Sequence, residues 1–248
     1  MKRKYIAIGD IHGKLNHLTE LIKHINSDLG KDTVLVFLGD YIDRGENSKK
    51  VVDFLKKLRN KNPKNVVLLK GNHEDLAEQS LTNPNDSTAK LDWFMNGGRA
   101  TVDSFGGEEK CKKELLPFIK SLKVYLETED YIFCHGGMPY DTDVKMVDPQ
   151  VLMWNRNFIY RGKKTVVVGH TPQDEVTMIG KTIIVDTGCF STGKLSAVLL
   201  PSQQVKFVNI AIPKVSTSRI FSELDKQDEL FDEALDKEFR DFQAIVNS

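Results

Sequence analysis

Four times along this chain a short aliphatic run stops at a glycine that is followed at once by an acidic, amide or imidazole side chain: Gly9-Asp10, Gly39-Asp40, Gly71-Asn72 and Gly169-His170. A fifth run, ending Cys134-His135-Gly136, nearly repeats the pattern. This recurrence limits what the chain can fold into. The runs are "YIAIGD" (5–10), "TVLVFLGD" (33–40), "NVVLLKGN" (65–72), "YIFCHGG" (131–137), "TVVVGHT" (165–171) and "TIIVDTG" (182–188). Each is rich in β-branched residues and bounded by polar turns, as strands are. Between the first three, Leu15, Leu18, Leu21, Ile22 and Ile25, then Val51, Val52, Leu55 and Leu58, keep helical spacing. Strand–helix–strand order predicts βαβ units and a parallel sheet, an α/β architecture. Ligands of such sheets bind beyond the carboxyl ends of the strands. Glycine there lets the backbone turn sharply off the strand. The recurrent pairs therefore predict one site, gathered at the strand ends.

Residues 75–122 read as mostly helical, with a glycine break at "NGGRAT" (96–101), and 194–213 read as a hairpin. "PKVSTS" then leads into a charged segment whose Phe221, Leu224, Phe231, Leu235, Phe239, Phe242 and Val246 keep a 3–4 rhythm. We expect a catalytic domain over 1–213 and an acidic amphipathic helical tail over 214–248. From Ser216 onward there are nine acids against four bases, a net charge of −5; the whole chain is neutral, so the remainder carries +5. A mildly basic body favours an anionic substrate, and the tail offers a surface for self-association or a partner. Zero net charge gives no global signal for nucleic acid or acidic lipid. No apolar run approaches the roughly 20 residues of a membrane span. The apolar part of "MKRKYIAIGD" is too short for a secretory leader. Three cysteines, Cys111, Cys134 and Cys189, show no metal-binding spacing and fit a reducing compartment, so a cytoplasmic location is expected.

The residues at the strand ends suit cations. Asp10 and His12 are two apart, so extended backbone would point both to one side. Asp40 has two oxygens and can bridge two ions, Asn72 offers a carbonyl oxygen, and His135 and His170 offer nitrogens. Mixed oxygen and imidazole ligands favour Mn, Fe or Zn over Mg or Ca. The set is large enough for two ions, an arrangement suited to in-line displacement at phosphorus. His17 and His24 fall in the first helical pattern and read as surface or boundary residues. Asp43 and Arg44, taken alone, read as a local ion pair.

The motifs "GDIHG" (9–13), "GDYIDRG" (39–45), "GNHE" (71–74) and "HGG" (135–137) resemble the signature set of the phosphoprotein phosphatase family of calcineurin-like metallophosphoesterases. "DWFMNGGRAT" (92–101), "LMWNRNF" (152–158) and "VVGHTP" (167–172) resemble its small bacterial and phage-type serine/threonine members. The similarity runs from about residue 5 to about residue 212 and leaves out the tail. The resemblance implies two packed β-sheets flanked by helices, with a dimetal site at the strand ends. It implies a first metal on Asp10, His12 and Asp40, and a second on Asp40, Asn72, His135 and His170. The ions would be manganese, with iron or zinc as alternatives. His73 would be the general acid oriented by Asp43, and Arg44 and Arg156 would hold phosphate oxygens, Arg161 being the competitor for the last role. The reaction would be hydrolysis of phosphoserine and phosphothreonine in a protein or peptide by a hydroxide bridging the metals, with phosphotyrosine and phosphohistidine as further substrates. Trp154 is expected in the core, and Cys134 as a small buried residue rather than a nucleophile. The alternatives are a symmetrical dinucleoside tetraphosphate hydrolase, against which Asp43 and Gly136-Gly137 count, and a non-catalytic binding module that has kept the fold.

Overall fold

The computed structural model describes residues 3–211; the expected tail lies outside the described residues. In chain order the elements are β1 (Lys4–Ile8), α1 (Leu15–Ile25), β2 (Thr33–Phe37), α2 (Ser48–Lys61), β3 (Val66–Leu68), α3 (Asn72–Thr82), α4 (Ser87–Met95) and α5 (Gly98–Phe105). There follow α6 (Glu108–Lys110), α7 (Leu116–Lys120), β4 (Tyr125–Glu127), β5 (Tyr131–Cys134), α8 (Pro149–Trp154), β6 (Thr165–Val168), β7 (Thr177–Ile179), β8 (Thr182–Ile184), α9 (Cys189–Thr192), β9 (Lys194–Leu200) and β10 (Gln204–Asn209).

Periodicity alone predicts one parallel sheet; the structure has two mixed ones, as the family resemblance implies. The first runs β10-β9-β1-β2-β3 and the second β4-β5-β6-β8-β7. Strands β1, β2 and β3 are parallel, and the expected hairpin β9–β10 joins them antiparallel to β1. Strands β5, β6 and β8 are parallel, with β4 and β7 as antiparallel edges. The two edges escaped sequence reading because their residues are half-buried or exposed and form no apolar run.

Alternation along the strands explains the layering. Ala7, Val34, Val36, Phe133, Val167 and Ile183 point between the sheets into a shared core. Ile6, Ile8, Leu35 and Phe37 point the other way, into the core under the helices. Both faces of the central strands are thus covered, which is why they read as unbroken apolar runs. His17 packs at the boundary, its Nε2 3.2 Å from the Ile210 carbonyl. No helix among the described residues is long and apolar enough to cross a membrane.

Candidate metal centre and phosphate site

The carboxyl ends of β1, β2, β3, β5 and β6 converge, and the loops leaving them carry the polar residues inward. Asp10, His12, Asp40, Asp43, Asn72, His73, His135 and His170 are all at most 4 % exposed. The backbone at this junction is strained. Among the described residues, six that are not glycine have positive φ, and five of them are His12, Asp40, Asp43, Arg44 and His170. Each such residue costs of order 1–3 kcal/mol and persists only where surrounding structure enforces it.

The glycines act differently from expectation. Gly39 does take positive φ, 109°. At Gly71, however, φ is −93°. Its lack of a side chain serves close approach: a Cβ there would collide with the Asp40 amide and carboxylate. At Gly9 a Cβ would lie 2.9 Å from the Val185 carbonyl oxygen of the second sheet. At Asp40 and His170 the left-handed turn falls on the ligand-type residue itself. His12 likewise reaches the cluster through a left-handed turn, not through strand alternation with Asp10.

Two groupings have their ligand atoms within 4.8 Å of one another: His12, Asp40 and His73, and Asp40, His135 and His170. Asp40 belongs to both, as a bridging residue must. Its Oδ2 lies 3.5 Å from His12 Nε2 and 3.3 Å from His135 Nε2. Asn72 Oδ1 sits 2.9 Å from both His135 Nε2 and His170 Nδ1. His12 and His135 each donate Nδ1–H to a backbone carbonyl, of Ile42 at 2.8 Å and Leu38 at 2.9 Å. Each therefore turns Nε2 toward Asp40, the orientation of a metal-ligating imidazole. The buried Nε2 of His170 has no hydrogen-bond partner. Burial pushes His12 and His170 down to about 3, leaving them neutral. Burial acts the same way on His135, but Asp40 and Asp10 outweigh it and lift it to about 10. A proton there compensates carboxylate charge that a cation would compensate instead. The donor set fits two divalent ions.

Asp10, expected beside His12 and Asp40, lies in neither of these groupings. Its two carboxylate oxygens accept from the His170 amide at 3.2 and 3.1 Å. Burial, and after it the neighbouring Asp186, raise its pKa well above the usual range. Asp43 and His73 form the expected pair, Oδ2 to Nδ1 at 2.8 Å. Against burial, Asp40 and Asp43 raise His73, which favours its protonated form. The arginines stand at the two ends of the cluster. Arg44 Nη1 donates to His12 Nε2 at 2.9 Å, and Arg156 Nη1 donates to the His170 carbonyl at 3.0 Å. Arg161 reaches Gly180 instead, away from the ligands. Trp154 is not a core residue. It is 39 % exposed, and its ring stands 6.2 Å from that of His170, nearly perpendicular. Helix α8 ends there, and its last backbone is pinned against the glycines that follow His135. Cys134 is fully buried, as expected, and burial raises its thiol to about 12.

Sequence reasoning gave no role to four residues that hold the site. Glu74 accepts from the amides of Asp40 at 2.9 Å, Tyr41 at 2.8 Å and Gly71 at 3.0 Å, tying two strand-end loops together. Trp93 donates Nε1–H to both Asp43 oxygens, at 3.0 and 3.1 Å, and Thr101 donates to Oδ1 at 2.6 Å. Asp186 is buried beside Asp10 and raised to about 6, first by burial. It too follows a strand, β8, but without the preceding glycine that marked the others.

A profile of the calcineurin-like phosphoesterase family matches residues 3–202. Serine/threonine-protein phosphatase 2 of Salmonella typhimurium is 28 % identical over 206 residues, covering 77 % of this chain and 89 % of its own. An asymmetrical bis(5'-nucleosyl)-tetraphosphatase of Bacillus cereus is 26 % identical over 244 residues, covering 86 % and 96 %. Among solved structures, the cold-active protein-tyrosine phosphatase of a psychrophilic Shewanella superposes with a TM-score of 0.61 at 18 % identity, covering 84 % and 78 %; it supports the fold. The dinucleotide hydrolase matched here is asymmetrical, whereas the sequence reading weighed the symmetrical kind.

Proposed function

The chain belongs to the calcineurin-like phosphoesterase family, and from that premise we propose that it is a metal-dependent phosphoprotein phosphatase acting on phosphoserine and phosphothreonine, with phosphotyrosine and phosphohistidine as further substrates. The observation that carries this reading is the buried His73–Asp43 pair. A serine or threonine alkoxide is a poor leaving group and needs a proton as the P–O bond breaks. A nucleotide leaves an anhydride already stabilised and needs one less. A buried imidazole held protonated between carboxylates suits the first task.

In this reading Asp10, His12 and Asp40 hold one divalent ion and Asp40, Asn72, His135 and His170 the other, manganese before iron or zinc. When bound, such a pair supplies an activated water and offsets charge at phosphorus. Arg44 and Arg156 grip the phosphate oxygens with planar forks. Asp43 keeps Nδ1 of His73 occupied, so Nε2 carries the proton for the leaving oxygen. Trp93 and Thr101 saturate the remaining lone pairs of Asp43 and fix its orientation. The cytoplasm remains the proposed compartment.

A second reading, asymmetrical dinucleoside tetraphosphate hydrolysis, is favoured by the Bacillus cereus relative and its near-complete overlap. Parallel assays with Mn, Fe and Zn on phosphoserine, phosphothreonine, phosphotyrosine and phosphohistidine peptides and on diadenosine tetraphosphate separate the two. We expect higher kcat/KM on a phosphoserine or phosphothreonine peptide. Preference for the dinucleotide, with ATP and AMP as products, would replace the first reading by the second.

A further inference from the structure

We propose that Phe190 is a positioning residue for Arg44, holding its guanidinium as an anion-binding fork; this rests on the phosphate-binding reading of Arg44 but not on which phosphate ester is the substrate. Phe190 lies on α9, in the segment "CFSTGKL" (189–195). The Arg44 guanidinium carbon sits 4.3 Å above the centre of its ring. The same ring meets the His12 imidazole edge-on, 5.3 Å between centroids. Phe190 therefore touches both a proposed metal ligand and a proposed phosphate ligand.

Among the described residues, the direct contacts of the Arg44 side chain are with neutral groups. Its guanidinium donates to His12 Nε2 at 2.9 Å, and its backbone amide donates to the Gly97 carbonyl at 3.2 Å. Among the described residues, no carboxylate forms an ion pair with it. The ring contact persists when a metal takes the His12 Nε2 lone pair, and a cation oriented by a π-face keeps its charge for an incoming anion. An arginine oriented by a carboxylate would not. The aromatic contact also restricts a long side chain that would otherwise lose rotamer freedom on gripping phosphate.

The placement of Phe190 is specified locally. Asp186 Oδ1 accepts from the Gly188 amide at 2.8 Å, closing a turn in which Gly188 has φ 68°. A second left-handed glycine, Gly193 at φ 74°, ends the short helix. These two reversals set the one aromatic residue of the segment beneath Arg44.

The test uses competitive inhibition by inorganic phosphate, which has no leaving group, with p-nitrophenyl phosphate as reporter. Phe190→Leu keeps apolar volume and removes the π-face. Its Ki for phosphate and its KM should rise together by roughly 3- to 10-fold, with metal content unchanged. Phe190→Tyr should stay within about twofold of the parent. In an Arg44→Ala background, Phe190→Leu should add nothing further, because the two act as one unit. An unchanged Ki in Phe190→Leu, the same rise in the Arg44→Ala background, or loss of metal from Phe190→Leu would each overturn the proposal. If Arg44→Ala itself leaves Ki unchanged, the fault lies in the phosphate-binding reading on which it rests.

Discussion

Asp40 and Asp43, three residues apart, differ in kind. Asp40 belongs to both ligand groupings and is held well below the usual carboxylate range by His135 and His73, which outweigh its burial. Asp43 touches no other member of those groupings than His73 and spends its oxygens on three donors. Asp40→Asn should therefore lose metal and cut turnover of every substrate alike, measured as bound metal and kcat/KM. His73→Asn and Asp43→Asn should keep metal. They should reduce kcat/KM on a phosphoserine peptide by about 10²–10⁴-fold, the usual worth of general acid catalysis. On p-nitrophenyl phosphate, whose leaving group needs no proton, the loss should be far smaller. Equal losses on both substrates, with metal retained, would exclude the acid role of His73.

Helices α4 and α5 act on the site without touching its centre. Helix α4 supplies Trp93 to Asp43, and α5 supplies Thr101 to the same carboxylate. The two glycines between these helices serve different neighbours. A Cβ on Gly97, itself at φ 97°, would lie 2.9 Å from Arg44 Cγ. A Cβ on Gly98 would lie 2.7 Å from the Trp93 ring. Gly98→Ala must therefore displace Trp93 or the helix. It should lower stability by about 1–3 kcal/mol, read from denaturant midpoints. It should also weaken turnover of the phosphoserine peptide more than that of p-nitrophenyl phosphate. Equal stability to the parent would show that α5 can shift without cost.

Across the whole molecule, the two sheets meet where five buried carboxylates (Asp10, Asp40, Asp43, Glu74 and Asp186) crowd together. Bound cations should relieve that crowding and stabilise the folded state. Stripping metal with a chelator should abolish activity and lower the thermal midpoint. Adding Mn to 100 times its dissociation constant should raise the midpoint by roughly 5–10 °C. A midpoint indifferent to metal, alongside restored activity, would mean that the ions bind without acting on stability. The charge imbalance between body and tail is a second property of the whole chain. Ending the chain after Pro213 should leave turnover of p-nitrophenyl phosphate within about threefold, since the ligand set lies wholly before that point. A folded truncation that had lost this activity would make the tail part of the machinery.

Short β-branched runs, most of them closed by glycine and a ligand-type residue, determined the strands, their parallel order and the convergence of Asp40, Asn72, His135 and His170 at one end. They did so because strand alternation and the placement of ligands at strand ends are local consequences of residue type. Periodicity alone could not divide the strands between two sheets. Ala7 and Val34 read the same whether they face a helix or another sheet, and only packing decides which. Nor could it find β4 and β7, whose edge positions demand no apolar run. The "GDYIDRG" spacing located Asp43 beside His73, but the donors that saturate Asp43 come from Trp93 and Thr101, 50 and 58 residues away. The sequence alone leads to the expectation that Trp154 is in the core. It lies outside because the glycines after His135 draw the end of α8 against the site rim. Phe190 carries no signal in its own neighbourhood: its use depends on an arginine brought from β2's loop by the fold.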